Sequence, residues 1–463
     1  MTGQELAPRP QRELATARAE QALARWERYV FTRALRAVDA PRVTAHARQA
    51  PGGPLHGLLC SVKDLFPVAG VESCAGSLLL RGSVPVTDRP LTAAVRAAGA
   101  VVLGKGVCAE FGFGTDTENR LDGRVLHFRD PAVSPGGSSG GDAVAVGAGI
   151  ADFAVAGDYG GSVRWPAQAA GVYGLRLGVA HPLAGAAASG RIGLARPGAA
   201  EASLQSQTET AGLMARTPGV LQAVLAALAD GARPGEARLR SVSSGGAPDG
   251  LPGPADRTGA KVLLVTDGTE IAAVRPEAAA ALAAARSAAE RAGYRLLPAP
   301  AGLRDALADA YPVYAALRAA TDDHREVRRL AADRAELLCP STRAVLDQAQ
   351  RSVAAASPDR VTRLRARAAE IRLAVRQALR AAGADALLLP LAASGPAGFG
   401  ARTEVAGRRL TAAGLLAHCR AVSLTGLPAL SAPTAGSALS VQLVGADRGE
   451  ERLCAVAADL AGR

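Results

Sequence analysis

Three residues of this sequence have the types and settings for acyl-transfer chemistry. Ser162 stands in "DYGGSVRWP" (Asp158–Pro166), behind two glycines and ahead of an arginine. A serine bracketed this way reads as an exposed nucleophile, yet its hydroxyl attacks poorly near neutral pH unless a base takes its proton. The usual base is histidine, and none lies in the fifteen residues before Ser162. Ser138, 24 residues upstream, opens the serine pair of "SPGGSSGGDAVAVGAG". Four glycines in six residues permit backbone angles and close approaches denied to other residues. They sit at what reads as a helix start, where free N–H groups gather. A flexible Gly/Ser loop is the plain alternative. Lys63, in "SVKDLF", lies 75 residues before Ser138. A lysine beside an aspartate at a strand end is ordinarily salt-bridged and structural. A buried lysine can also shed its proton and act as a base, because desolvation disfavours the charged form. The chain writes arginine almost everywhere and keeps lysine only at Lys63, Lys105 and Lys261.

The elements that must position these residues alternate between strand and helix. "LLCSV" before Lys63 reads as a strand, and "TAAVRAAGAVVLGKG" as helix, glycine turn and strand. From Gly140 a small-residue helix runs to about Gly149, followed by the strand "DFAVAG" that leads to Asp158. Helix is expected from Arg12 to about Val38, ended by Pro41. After a Gly/Pro/Ser-rich excursion at 230–259, "KVLLVTDG" reads as a strand and Pro276–Gly293 as a helix. Gly302 to about Gly383 reads as a largely helical block, so a helical lobe is expected over about 275–384. "DALLLPLA" and "LPALSAP" read as strands returning to the sheet. This alternation gives an α/β fold with a mainly buried sheet.

The bulk properties exclude several function classes. The 463 residues suffice for one large domain or two to three ordinary ones. The net charge is +11, but arginines are interleaved with acids along the chain and aromatics are 3%. Base-stacking platforms would be scarce, so a nucleic-acid partner is not expected. The charged N-terminus lacks the apolar stretch of a secretory signal, and no apolar run reaches membrane-spanning length. Six scattered cysteines show no paired spacing, which fits free thiols in a cytoplasmic protein. No Cys/His cluster has ligand spacing, so no metal is expected.

The motifs "SVKD", "AGAVVLGK", "DPAVSPGGSSGG" and "GDYGGSVRWPA…GVYGLR" resemble, in order and separation, those of the amidase signature family of serine amidohydrolases. The resemblance covers about Pro54 to Gly178, with the core motif region taken as 54–225, and resumes at "VSLTGLPALSAP" and "VQLVG". It implies one domain over 1–463, with a large central mixed β-sheet covered by helices. It also implies a Ser–cisSer–Lys triad without cofactor. Ser162 would be the nucleophile, Ser138 the bridging serine after a cis bond, and Lys63 the base. Backbone N–H groups of Tyr159, Gly160, Gly161 and Ser162 would form the oxyanion hole. Ser139 would support the loop and Lys63 by hydrogen bonding. Asp158, Arg164 and Asp64 would be architectural, and Phe113 falls where such proteins line the acyl pocket. The implied activity is cleavage of a small-molecule carboxamide, with an ester or carbamate as variants; a homodimer is left open.

The chain departs from the family at Gly157, where Thr or Ser is usual, and at Tyr159, where Thr or Ile is usual. It also lacks the Asn-Pro common before the Gly-rich loop. Other readings remain: a glutaminyl-tRNA amidotransferase-type catalytic subunit, and a non-catalytic amide-binding relative. A further one is an α/β-hydrolase whose elbow would be Gly136–Gly140, with Asp385 and His418 downstream. Against the last, "HFRDPAVSP" is a poor strand, and His418 is expected on a helix surface.

Overall fold

The computed structural model describes residues 7–184, 204–230, 260–400, 403–405 and 407–462. Of the Gly/Pro-rich excursion, residues 231–259 lie outside the described residues. Eleven strands form one sheet: β1 (Leu35–Arg36), β2 (Leu59–Lys63), β3 (Val101–Gly106), β4 (Phe153–Asp158), β5 (Tyr173–Arg176), β6 (Thr210–Ala215), β7 (Val262–Val265), β8 (Arg295–Pro298), β9 (Ala386–Pro390), β10 (Ala429–Pro433) and β11 (Ser440–Val444). Their spatial order is β1-β3-β2-β4-β6-β5-β10-β11-β9-β7-β8. β2 runs parallel to both β3 and β4, with Val62 opposite Val155, and β7 runs parallel to β8 and β9. The other pairings are antiparallel, so the sheet is mixed.

Both faces of the sheet are covered, which is why its strands read as continuous apolar runs rather than alternating ones. Leu59, Leu103, Ala154 and Ala156 pack on one side with Ala15, Ala19, Ala143 and Val146 of the helices Arg9–Arg28 and Gly140–Gly147. Cys60, Val62, Phe153 and Val155 face the other side, against Leu91, Val95, Leu221 and Val224 of Pro90–Ala97 and Pro218–Asp230. The helices Ala301–Ala320, Pro358–Ala381 and Ala417–Thr425 share a second core through Leu303, Leu307, Tyr314, Ile371, Val375 and Val422.

Three expectations need correction. The helix from Arg12 to Val38 stops at Arg28, and the chain turns through Arg33 and Ala37, both at positive φ, around the short edge strand β1. Pro41 ends nothing: it occupies the first turn of Ala40–Gln49, where its missing N–H costs no hydrogen bond. Asp39 caps that helix by accepting from Arg42 N at 3.0 Å. The region 275–384 is not wholly helical, because the edge strand β8 separates Pro276–Arg291 from Ala301–Ala320. Its four residues are half-buried or exposed and end in proline, so they give little strand signal.

Candidate active site

Two neighbouring parallel strands bring the expected residues together. Lys63 is the last residue of β2 and Asp158 the last of β4, so both project from the same edge of the sheet. The Gly-rich loop reaches that edge just before the helix Gly140–Gly147, and Ser162 follows β4 by four residues. The loop is packed rather than flexible, with every residue from Gly136 to Gly141 buried. A Cβ at Gly137 would lie 2.7 Å from the Asp116 carbonyl oxygen, so this close backbone approach requires glycine. Thr117 braces the loop, donating from Oγ1 to Gly136 O at 2.8 Å and accepting from Gly140 N at 3.0 Å. Trp165 Nε1 donates to Thr115 O on the same bracing segment.

Within this frame Lys63 Nζ donates to Ser138 Oγ at 2.7 Å, and Ser138 Oγ stands 3.0 Å from Ser162 Oγ. The Gly137–Ser138 peptide bond is cis. Lys63 and Ser138 are each 1% exposed, whereas Ser162 is half-buried and so reachable. The three side chains therefore form a continuous chain of hydrogen bonds from an enclosed amine to an accessible hydroxyl. Asp142 stands behind them, accepting from Ser61 Oγ at 2.7 Å, and burial pushes its carboxyl up to about 7.

The turn bearing Ser162 is fixed by Asp158. Its carboxylate accepts from Gly161 N (2.8 Å), Val163 N (3.1 Å), and Arg164 Nε and Nη2 (3.0 and 2.9 Å), with Arg176 Nε at 3.8 Å. Burial alone would raise this carboxyl; Arg164 and then Arg176 outweigh it and hold it well below the usual carboxylate range. Arg164 continues outward to Ser423 Oγ at 2.8 Å and to Gln442 Oε1. Gly161 takes φ +114°, and a Cβ there would sit 2.9 Å from Cys419 Cβ.

Residues 13–454 match the family described as Amidase. The chain belongs to the amidase family. A glutamyl-tRNA(Gln) amidotransferase subunit from Methanospirillum hungatei is 44% identical over 124 residues, 27% of this chain and 29% of that protein. Its counterpart from Thermus thermophilus is 46% identical over 126 residues, 27% of each. The matches thus span under a third of the length of these curated relatives. A solved amidase structure is 27% identical with TM-score 0.74, covering 97% of this chain and 96% of that one. Fatty acid amide hydrolase, at 18% identity and TM-score 0.74 over 99% of this chain and 85% of that one, shares the fold.

In this amidase-family chain some expected residues fall elsewhere than anticipated. The Gly161 N–H is committed to Asp158 Oδ1, so it is not a free oxyanion donor. Gly160 N and Ser162 N donate to nothing among the described residues. The buried Ser139 hydroxyl has no hydrogen-bond partner among the described residues, so the support expected from it is not made. Asp64 accepts from Cys74 N and Gly76 N. Phe113 packs at the core margin, its ring 4.5 Å from that of His324. His418 is fully buried, not on a helix surface: its Nε2 bonds Gly268 O at 3.1 Å, and burial lowers its pKa to about 4. Asp385 accepts from Val262 N and pairs with Arg452. Neither of these two is hydrogen-bonded to the Gly-rich loop, which leaves the α/β-hydrolase elbow without a triad.

The two departures have structural counterparts. At Gly157 a Cβ would lie 3.2 Å from Phe66 Cζ, so the phenylalanine ring takes the space a threonine side chain would use. Tyr159 leaves the turn for the helical region, where its hydroxyl donates to Asp323 Oδ2 at 2.5 Å and its ring packs on Tyr314. Thr117, Asp142, Ser423 and Gln442 also serve the site; the last three lie within "SPGGSSGGDAVAVGAG", "VSLTGLPALSAP" and "VQLVG", where nothing in their type or spacing marks them out.

Among the described residues, no His, Cys, Asp and Glu cluster could hold a metal ion. None of their helices is long and apolar enough to cross a membrane.

Proposed function

We propose that this chain hydrolyses a small-molecule carboxamide through an acyl-enzyme on Ser162. The observation that carries the reading is the unbroken contact from Lys63 Nζ through Ser138 Oγ to Ser162 Oγ, at 2.7 and 3.0 Å. With Lys63 neutral, those two contacts carry a proton inward. Ser162 Oγ attacks the carbonyl carbon, its proton passes to Ser138 Oγ, and the Ser138 proton passes to Lys63 Nζ. Lys63 is 1% exposed, so the relay ends on a nitrogen closed to bulk water. The Gly160 and Ser162 N–H groups are the donors available to the developing oxyanion, each typically worth about 3 kcal/mol. As the intermediate collapses the relay reverses and Ser138 protonates the departing nitrogen. Water then attacks the acyl-enzyme by the same relay, giving the acid and free Ser162.

The test is labelling by a serine-directed fluorophosphonate, followed by a screen of primary amides, anilides and carbamates with products identified by mass spectrometry. Wild type is expected to label and Ser162→Ala not to label. Equal labelling of the two would remove Ser162 as nucleophile. A second reading, the catalytic subunit of an amidotransferase, is favoured by the names of the relatives at 44 and 46% identity. Amide hydrolysis by the isolated chain, with no transfer of ammonia when a candidate partner is added, would exclude it.

A further inference from the structure

Two arginines flank the turn bearing Ser162, and the acyl transfer proposed above uses neither. Arg420, on Ala417–Thr425, lays its stem against Gly160: a Cβ built there would be 3.4 Å from Arg420 Cγ and 2.7 Å from Tyr314 Oη. Arg318, on Ala301–Ala320, stands beside the Tyr159 side chain that leaves this turn, with Cζ 5.8 Å from the Tyr159 ring centroid. Both side chains are half-buried. Among the described residues neither forms an ion pair, and Arg420 Nε is shut off from solvent without a hydrogen-bond partner. The other large cations of this turn are matched, since Arg164 and Arg176 both face Asp158.

The groups around the pair leave it cationic. Tyr314, Tyr159 and Tyr311 are its phenolic neighbours, and together with the Asp323 carboxylate they hold Arg318 above its ordinary value against burial. Asp323 is already held by Tyr159 Oη at 2.5 Å and Thr321 Oγ1 at 3.2 Å. Burial first, and also the neighbouring Arg318 charge, pull the Arg420 guanidinium below its ordinary value, against Tyr314 and a hydrogen-bonding Tyr311 that act the other way; none of these neighbours is a carboxylate. A half-buried guanidinium with an unbonded donor is stabilised when an anion meets it, and its planar donor fork matches a carboxylate. The bland role, packing between tyrosines, would be served equally by an uncharged chain of similar length and leaves two like charges side by side unexplained.

We propose that Arg318 and Arg420 form an anion subsite beside the Ser162 turn. The substrate is then an amide carrying a second, negatively charged group, a carboxylate a few bonds from the scissile carbonyl. The inference rests on Ser162 being the nucleophile, so its test uses binding to the Ser162→Ala protein, which needs no turnover. Succinamate and glutaramate are titrated calorimetrically against their neutral counterparts butyramide and pentanamide. At least one carboxylated amide is expected to bind roughly tenfold or more tighter than its counterpart, a charge-assisted contact's worth. Arg420→Gln and Arg318→Gln, added to that background, are each expected to shrink the difference, and Arg420→Lys to keep part of it. Equal affinities, no binding of either carboxylated amide, or a preference that survives both glutamine variants would overturn the subsite. The comparison of charged with neutral amides on Ser162→Ala alone does not depend on how the arginine variants fold. Loss of fluorophosphonate labelling at Ser162 would instead sink the hydrolase reading while leaving the binding result in place.

Discussion

Replacing His418 with glutamine is expected to leave Ser162 labelling intact and to remove an acid sensitivity that His418 gives the fold. The imidazole is fully buried, and burial lowers it from its ordinary 6.5 to about 4. Its folded value lies below the unfolded one, so between these limits the unfolded chain binds a proton that the folded chain refuses. Stability therefore falls as pH drops through that window. The full penalty, reached below pH 4, is about 3 kcal/mol, and about 2 kcal/mol of it is present at pH 5. A glutamine amide can still donate to Gly268 O, the partner of Nε2 at 3.1 Å, and has no proton to gain. Urea unfolding of both proteins at pH 7 and pH 5 gives a double difference in which the other titrating groups cancel. Wild type is expected to lose about 2 kcal/mol more than the variant over that interval. An equal loss in both would refute the assignment of His418 as a buried neutral imidazole. Abolished labelling in the variant would point back to a histidine-based mechanism and against the lysine relay.

Lys63→Arg is expected to lower amide hydrolysis by about a hundredfold or more, because a guanidinium cannot take the relay proton; turnover within a few-fold of wild type would refute the relay. Asp158→Asn leaves Arg164 and Arg176 buried without their counter-charge. It is expected to cost about 3–5 kcal/mol in urea unfolding and to weaken labelling of Ser162, and unchanged stability would contradict the role given to Asp158. Gly157→Thr is expected to destabilise by about 1–3 kcal/mol, since its Cβ would press on Phe66 Cζ at 3.2 Å. Adding Phe66→Ala should give a double variant less destabilised than the sum of the two singles; strict additivity would show that the contact does not matter.

What was legible in the sequence followed from burial. β2, β3, β4, β7, β9 and β10 announce themselves as short apolar runs because each lies inside the sheet with both faces covered. β6 pairs with β4 and β5 pairs with β6, but they carry Gly174, Arg176 and Gly212, which break the apolar pattern. Arg176 in particular looks like a surface residue until Asp158 is seen beside it. The break after Arg28 left no mark in composition, since Arg33 and Ala37 adopt positive φ without glycine. At the site, residue types and spacing singled out Lys63, Ser138 and Ser162. That Asp158 would claim the Gly161 N–H was unreadable, because it depends on how a five-residue turn folds back on its own aspartate. His418 misled because one histidine among "GLLAHC" looks the same whether its helix face meets solvent or the loop at Gly268.

The placement of the candidate chemistry follows from the parallel pairing of β2 with β4. Parallel neighbours present their carboxyl ends side by side, and open α/β sheets gather ligands outside those ends. Here one end supplies Lys63 and the other supplies Asp158, so the amine and the brace of the serine turn share a single rigid edge. The Gly-rich loop must then pass between them. Its glycines serve that passage: with backbone at 2.7 Å from a Cβ on Gly137, a side chain there would push Ser138 away from both Lys63 and Ser162. The same crowding explains why lysine rather than arginine stands at position 63 in an arginine-rich chain. A single nitrogen at the end of an unbranched stem can meet one enclosed hydroxyl, whereas a guanidinium would bring five N–H donors and would keep its charge.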